Sequence, residues 1–396
     1  MNRNIMRLTL ALVITLACQS AKPQASGQTI PTPDTARPGI RWWWLGSAVD
    51  STNLRWNLEQ FAKAGIGAVE ITPIYGVNGN EKNDISYLSP QWMKALQKVE
   101  STNARLGIET SMATGTGWPF GGPWVPLSEA ACKAVVVDTL VDAATPLDKI
   151  EFALPDREKG MAKIIAKKEY EADNGKKRAI ALFESRTRQM VKRAAPGGEG
   201  YVVNHFDSTA VAHYLAHIDS AFTASGTKFP PVMFNDSYEV YGANWTPTLP
   251  QEFERRHGYS ITEKLREFVD GDAKVVSDYR ETLAHMLLNN FTRQWTSWAH
   301  RHGAKTRNQA HGSPANLIDC YAAVDIPEIE GFGLTDFGIK GLRRDSGYTR
   351  RNDSDLSMLK YAPSAAHITG KTLTSSETFT WLTEHFRTSL SQMKPD

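Results

Sequence analysis

The stretch that decides the fold is IRWWWLGSAVDSTNLRWNLEQFAKAGIGAVEITPI, residues 40–74. Two short apolar runs, 40–45 and 68–74, flank an amphipathic segment of helical period over 50–64. Working outward, a helix over 90–104 and an apolar run over 106–113 repeat the alternation. The pattern is βαβαβ, which predicts a parallel sheet with crossover helices.

The rhythm breaks between about 120 and 200, where the apolar runs 134–140 and 150–154 alternate with the charged stretch 157–177. We read this as a small inserted β domain, and its basic cluster Lys176, Lys177 and Arg178 as a solvated face. The βα rhythm then resumes: a helix over 208–224, a strand over 232–235, helices around 250–268 and 278–302, strands over 304–309 and 324–330, and a last strand at 372–375. Counting 201–206 as a strand gives eight, and leaving it in the insertion gives seven. Either count favours the α/β class of (β/α)8 TIM-like barrels, so residues 39–396 are expected to form one barrel-like domain interrupted by the insertion.

Upstream of this body, Arg3 and Arg7 precede an apolar run over 8–17, the pattern of a secretory signal over 1–20. Cys18 follows Leu16 and Ala17, as the lipidated cysteine of bacterial lipoproteins does, although Thr15 stands where a branched aliphatic residue is usual. Residues 21–38, rich in Pro, Thr, Gln and Ala, read as a flexible linker. The expected location is therefore the periplasm or cell surface, with an outer-membrane lipid anchor through Cys18 as one form. The other two cysteines, Cys132 and Cys320, are too few for a disulfide framework.

Lys and Arg total 45 against 43 for Asp and Glu, a formal charge of +2. This balance gives no electrostatic reason to expect nucleic acid or an acidic partner, and points to a neutral substrate. The 11 Trp suit sugar rings, though most indoles in any protein fill the core.

In barrels of this class the reactive groups project from the C-terminal ends of strands. The polar residues found there are Trp43 and Trp44, Glu70, Asn235 through Glu239, Gln309 and His311, Glu328 and Glu330, and Glu377. Glycoside hydrolysis needs one protonated carboxyl and one ionised carboxylate. Glu239, flanked by Tyr238 and Val240, is the candidate acid, because an apolar pocket raises a carboxyl pKa. Glu377, in a run of Ser and Thr, is the candidate base. Any single strand-end Glu is more often a salt-bridge partner, and only convergence alters that. Trp44, Glu70, Trp118, Asn235, Asp236, Tyr238, Gln309, His311, Glu328 and Glu330 are expected to line the substrate site; for His311 a structural role is the equal competitor. The loop 115–121 departs from a phosphate-binding loop in its spacing, and reads as substrate-lining. There is no G-x-S-x-G elbow and no H-E-x-x-H.

Four stretches in this order, Arg41-Trp42-Trp43-Trp44, Ala64-Gly65-Ile66-Gly67-Ala68-Val69-Glu70-Ile71, Asn235-Asp236-Ser237-Tyr238-Glu239 and Ser375-Ser376-Glu377-Thr378-Phe379, resemble glycoside hydrolase family 106. Its members are inverting, calcium-dependent α-L-rhamnosidases of pectin-degrading bacteria. The resemblance runs from about residue 38 to the end. It implies a rhamnose-containing oligo- or polysaccharide substrate, Glu239 as general acid and Glu377 as general base, with roughly 6.5–9.5 Å between them. It also implies calcium, with Glu70, Glu328 and Glu330 as ligands or sugar binders and the ligand set left open. Members of the family are usually longer, so the barrel is expected to be incomplete at its C-terminal end. Two other readings compete: a non-catalytic carbohydrate-binding lipoprotein derived from such an enzyme, and a dinucleotide-binding oxidoreductase resting only on the βαβ rhythm.

Overall fold

A computed structural model describes residues 37–331 and 357–378; the signal-like segment and residues 21–36 of the linker lie outside them. The described part belongs to one compact unit that begins at Pro38. No described helix is long and apolar enough to cross a membrane.

The first strands and helices follow the sequence pattern closely: β1 Gly39–Leu45, α1 Ser51–Lys63, β2 Ala68–Ile74, α2 Pro90–Leu106 and β3 Glu109–Ala113. Local chemistry sets their ends. Asp50 accepts from the backbone N–H of Thr52 and Asn53 at 2.9 and 3.0 Å, capping α1. Ser89 caps α2, Pro90 fits its first turn, and Gly107 closes it in the left-handed region at φ 67°.

Between β3 and the next sheet strand lies the insertion: β4 Gly121–Gly122, β5 Cys132–Asp142, β6 Lys163–Glu171, β7 Lys176–Arg186 and β8 Tyr201–Val202. Strands β5, β7 and β6 make an antiparallel sheet in that order. The run 150–154 is not a strand; it crosses as irregular backbone between short turns. Lys176, Lys177 and Arg178 pair with Asp142, Glu169 and Asp138, a solvated ion-pair face. Tyr201–Val202 pairs antiparallel with Gly121–Gly122, so it stands outside the main sheet.

The chain continues through α3 Ser208–Ser225, β9 Val232–Asn235, α4 Leu249–His257, α5 Leu265–Asp270, α6 Ala273–Leu287, a π-helical turn Leu288–Arg293, α7 Gln294–Arg301, β10 Lys305–Gln309, α8 Leu317–Ala322, β11 Ile326–Gly331, α9 Met358–Ile368 and β12 Ser375–Thr378. Among the described residues the main sheet has seven strands in the order β1-β2-β3-β9-β10-β11-β12, every pair parallel. Six inter-strand spacings in a flat sheet would separate β1 from β12 by roughly 29 Å. Yet Arg41 of β1 lies 2.5 Å from Glu377 of β12. The sheet is therefore curled into a half-barrel, with first and last strands facing each other across its concave side.

Candidate active site

Strand alternation sorts the residues of the concave face. On β1, Trp42 and Trp44 point outward: Trp42 meets Phe61 of α1 and Trp44 meets Trp92 of α2, with ring centroids 5.6 and 5.7 Å apart. Arg41 and Trp43 face the other way. This corrects the expectation for the triple tryptophan. Trp44 is only 1% exposed and belongs to the core, whereas Trp43 is 39% exposed. A shift of one residue in parity moves every side chain to the opposite face.

Arg41 is the hub of the concave side. Its Nε is 3.0 Å from Glu70, its Nη1 is 3.1 Å from Asp236 and 2.5 Å from Glu377, and its Nη2 is 3.5 Å from Glu328. Arg307 joins Glu70 to Glu328, with its Nε 2.9 Å from Glu328. The Phe234 ring forms the floor, with the two guanidinium carbons 4.7 and 4.9 Å from its centroid. Gln309 donates from Nε2 to Glu328 at 2.8 Å and to Glu377 at 2.7 Å. Thr72 donates to Glu70 and Ser375 to Glu328. Burial alone would lower the Arg41 pKa, but the four surrounding carboxylates outweigh it and raise the value.

Glu330 completes the cluster; its Oε2 lies 2.7 Å from Nε2 of His311. Five carboxyls thus face two guanidinium groups, and the shortage of positive charge shows in two of them. Burial, then repulsion from Glu377 and Glu330, pushes the Asp236 carboxyl up to about 7 against the pull of Arg41. Burial, followed by Glu377, likewise raises Glu330 against His311 and Arg41. A carboxyl raised in the folded state binds its proton more tightly there than in the unfolded chain. Its contribution to stability is therefore present below about pH 4 and is lost as pH rises towards 7. Asp236→Asn should abolish that loss: relative to the variant, the wild type should lose on the order of 4 kcal/mol between pH 4 and 8. Denaturant unfolding at both pH values measures it, and a stability difference independent of pH would contradict the assignment.

Glu239 sits further out, after the end of β9. Half-burial raises its carboxyl, but Lys192, which donates to Oε2, the Tyr241 hydroxyl at 2.7 Å and the Trp118 side chain together hold it below the usual carboxylate range. The elevated pKa expected from its sequence neighbours is not found there; Asp236, three positions earlier, has it. Ser237 links the two, its N–H donating to Asp236 and its hydroxyl lying 3.4 Å from Glu239.

A hollow with about 280 Å³ of empty space, open solvent included, lies beside Asp236, lined by Thr72, Gly115, Gly117 to Phe120, Phe234 and Asn235. Gly117 lets this loop approach the insertion, since a Cβ there would overlap the Lys192 carbonyl. Asn235 donates to Asn308 at 2.6 Å. Tyr238 turns inward, its ring 5.5 Å from His205 and its hydroxyl buried, so it faces the core and not the hollow. Arg41 entered the sequence reading only as part of the Arg41-to-Trp44 stretch, without a role, and two further site residues carried no signal in the sequence: Arg307 on β10 and Lys192 within the insertion.

For calcium, Glu70 and Glu328 do not fit. Both oxygens of each already accept from guanidinium, hydroxyl or amide donors, whereas calcium takes 6–8 oxygen ligands. Among the described residues, the acidic and histidine side chains close enough to share an ion are His257, Asp278 and Glu281. There Lys274 and Arg256 already neutralise the two carboxylates.

Carboxyls differing in proton affinity, grouped at the mouth of a curled parallel sheet, suit acid- and base-assisted acetal cleavage, the chemistry of glycoside hydrolases. Sequence comparison gives the family. Residues 30–184 and 166–396 match the family described as alpha-L-rhamnosidase, glycoside hydrolase family 106, and the chain belongs to it. It is 22% identical over 419 residues to a putative beta-glucuronidase of Formosa agariphila, covering 88% of this chain and 34% of that protein. Its fold resembles a rhamnosidase from Novosphingobium sp. PP1Y, with a TM-score of 0.66 at 16% identity over 87% of this chain and 52% of that one. The chain thus spans about half the length of one relative and a third of the other.

Proposed function

We propose that the chain hydrolyses terminal α-L-rhamnosidic bonds of oligo- or polysaccharides with inversion, Glu239 protonating the leaving oxygen and Glu377 activating water. The observation that carries this reading is convergence: Glu377 of β12 and Asp236 after β9 meet around one arginine from β1, and Ser237 links Asp236 to Glu239. Arg41 and Gln309 orient Glu377 by donating to its Oε2. The two carboxyls are anchored separately, Glu377 by Arg41 and Gln309 and Glu239 by Lys192 and Tyr241, as two carboxyls with different roles require. In the free protein Lys192 holds Glu239 in its charged form, so the acid becomes competent once the substrate loosens that pair. A second reading makes Asp236 the proton donor, because its carboxyl is held near 7. The glutamates tested above offer calcium no matching donors, and the mechanism uses none. Arg3, Arg7 and the apolar run before Cys18 support export to the periplasm or cell surface, with lipidation of Cys18 as the anchored form.

The test is hydrolysis of an aryl α-L-rhamnoside followed by proton NMR. Inversion gives β-L-rhamnose as the first product, before mutarotation. First appearance of the α anomer would overturn the inverting mechanism, and rhamnose binding without turnover would leave a carbohydrate-binding protein.

A further inference from the structure

The long helical run formed by α6 and α7 is interrupted by the π-helical turn Leu288–Arg293, an irregularity that is frequent at functional sites. Its effect is on phase. α6 buries Val275, Tyr279, Leu283, Met286 and Leu287, and at about 3.6 residues per turn that stripe would next carry Asn290 and Gln294 inward. The extra residue taken up by the turn advances the stripe by one position. Phe291 and Trp295 are buried instead, and Asn290 and Gln294 turn aside, each donating at 2.8 Å to a backbone carbonyl, of Phe206 and Ser208.

Both rings delivered in this way bear on the loop after β3. Trp295 Nε1 donates to Thr114 Oγ1 at 3.1 Å, at the start of that loop. Phe120, at its far end, has its ring 5.1 Å from Phe291 and 5.8 Å from Trp295. Phe291 also packs on His205 at 4.3 Å, and His205 meets Tyr238 edge-on at 5.5 Å. Burial pushes the His205 imidazole down to about 4, so it stays neutral and serves as a flat plate between the two rings. Phe291 thus reaches Glu239 from two sides: through His205 to Tyr238, the residue before it, and through Phe120 to Trp118, whose side chain helps to hold the carboxyl.

We propose that Phe291 is a positioning residue for the general acid: wedged by the π turn between His205 and Phe120, it fixes where the Glu239 carboxyl stands relative to the glycosidic oxygen. The inference rests on Glu239 as the acid. Proton transfer in the transition state depends steeply on placement, and a misplacement of about 1 Å can cost on the order of 10²-fold. Binding of the sugar in the ground state makes no such demand. Loosening the wedge should therefore slow only those reactions whose leaving group needs the proton, with kcat falling and KM unchanged.

The test is kcat and KM of Phe291→Leu and Phe291→Ala on two α-L-rhamnosides, one with an acidic phenol and one with an alkyl alcohol as leaving group. Relative to wild type, kcat should fall about 10–100-fold on the alkyl compound and by less than about threefold on the phenolic one. Phe222→Leu removes a buried ring of the same kind, stacked on Phe229, and should leave both kcat values as they are. Equal losses for the two leaving groups, or a selective loss shared by Phe222→Leu, would overturn the proposal. If Phe291→Ala does not fold, Phe291→Leu decides by the same comparison. Carboxyl-carbon NMR of glutamate-labelled full chain, with the Glu239 signal identified by its absence in Glu239→Gln, gives a readout free of turnover. The Glu239 titration midpoint should rise towards the ordinary carboxylate value in Phe291→Leu, and an unmoved midpoint would equally overturn the proposal. A wild-type chain that turns over neither rhamnoside would remove the hydrolase reading, and the midpoint would then decide the placement by itself.

Discussion

Glu377→Gln is expected to lower kcat for α-L-rhamnoside hydrolysis by about 10²–10⁴-fold whatever the leaving group, the range for loss of one general acid–base group. Activation of water is needed for every substrate, so a better leaving group offers no rescue. Glu239→Gln should behave differently. With an acidic phenol as leaving group little protonation is required, and the loss should stay below about tenfold; with an alkyl or sugar leaving group it should reach the full range. Plotting log kcat against leaving-group pKa for the two variants and for Asp236→Asn assigns the roles. A steepened slope in Asp236→Asn, with an unchanged slope in Glu239→Gln, would transfer the acid role to Asp236. A Glu377→Gln enzyme within tenfold of wild type would remove the base assignment.

How much of this was legible in the sequence depends on the range of the interactions involved. Strand 68–74 and helix 90–106 are dictated by their own periodicity, caps and punctuation, and their positions follow from the sequence almost to the residue. Inside the insertion, Asn174 and Gly175 are both left-handed and form the turn of the β6–β7 hairpin, a local signal submerged in charged residues. The parity of the Trp42 to Trp44 run was not readable, because apolar residues on both faces leave period two without a phase. The acid–base chemistry failed to show for a different reason. Tyr238 and Val240 flank Glu239 in sequence, but its proton affinity is set by Lys192, 47 positions away. The pKa of Asp236 is set by burial and by residues on three other strands. Candidate carboxyls were therefore visible one by one, whereas their electrostatics exist only once the sheet has curled.

Curling also makes one residue answerable for the whole cluster, and Arg41→Ala is expected to cost about 3–5 kcal/mol of stability, the range for removing one partner of a buried ion pair. Against a typical total of about 5–15 kcal/mol, that is a large share of the margin. The cost arises because Glu70, Asp236, Glu328 and Glu377 keep their mutual repulsion and lose their common cation. Its pH dependence has a definite sign. Arg41 pulls the Asp236 carboxyl down against its burial, so without Arg41 that carboxyl titrates still higher in the folded state than in the unfolded chain, and the support its protonation gives the fold at low pH disappears as pH rises. The stability difference between wild type and variant should therefore be larger at pH 8 than at pH 5. Arg41→Lys should fall between the two, since one ammonium carries the charge without the planar fork that reaches several carboxylates at once. Unfolding in urea at both pH values, with kcat measured under the same conditions, checks the argument. A variant within about 1 kcal/mol of wild type at pH 8 would show that Arg41 is a surface-grade ion pair, and that the strands of the half-barrel are held together by their packing alone.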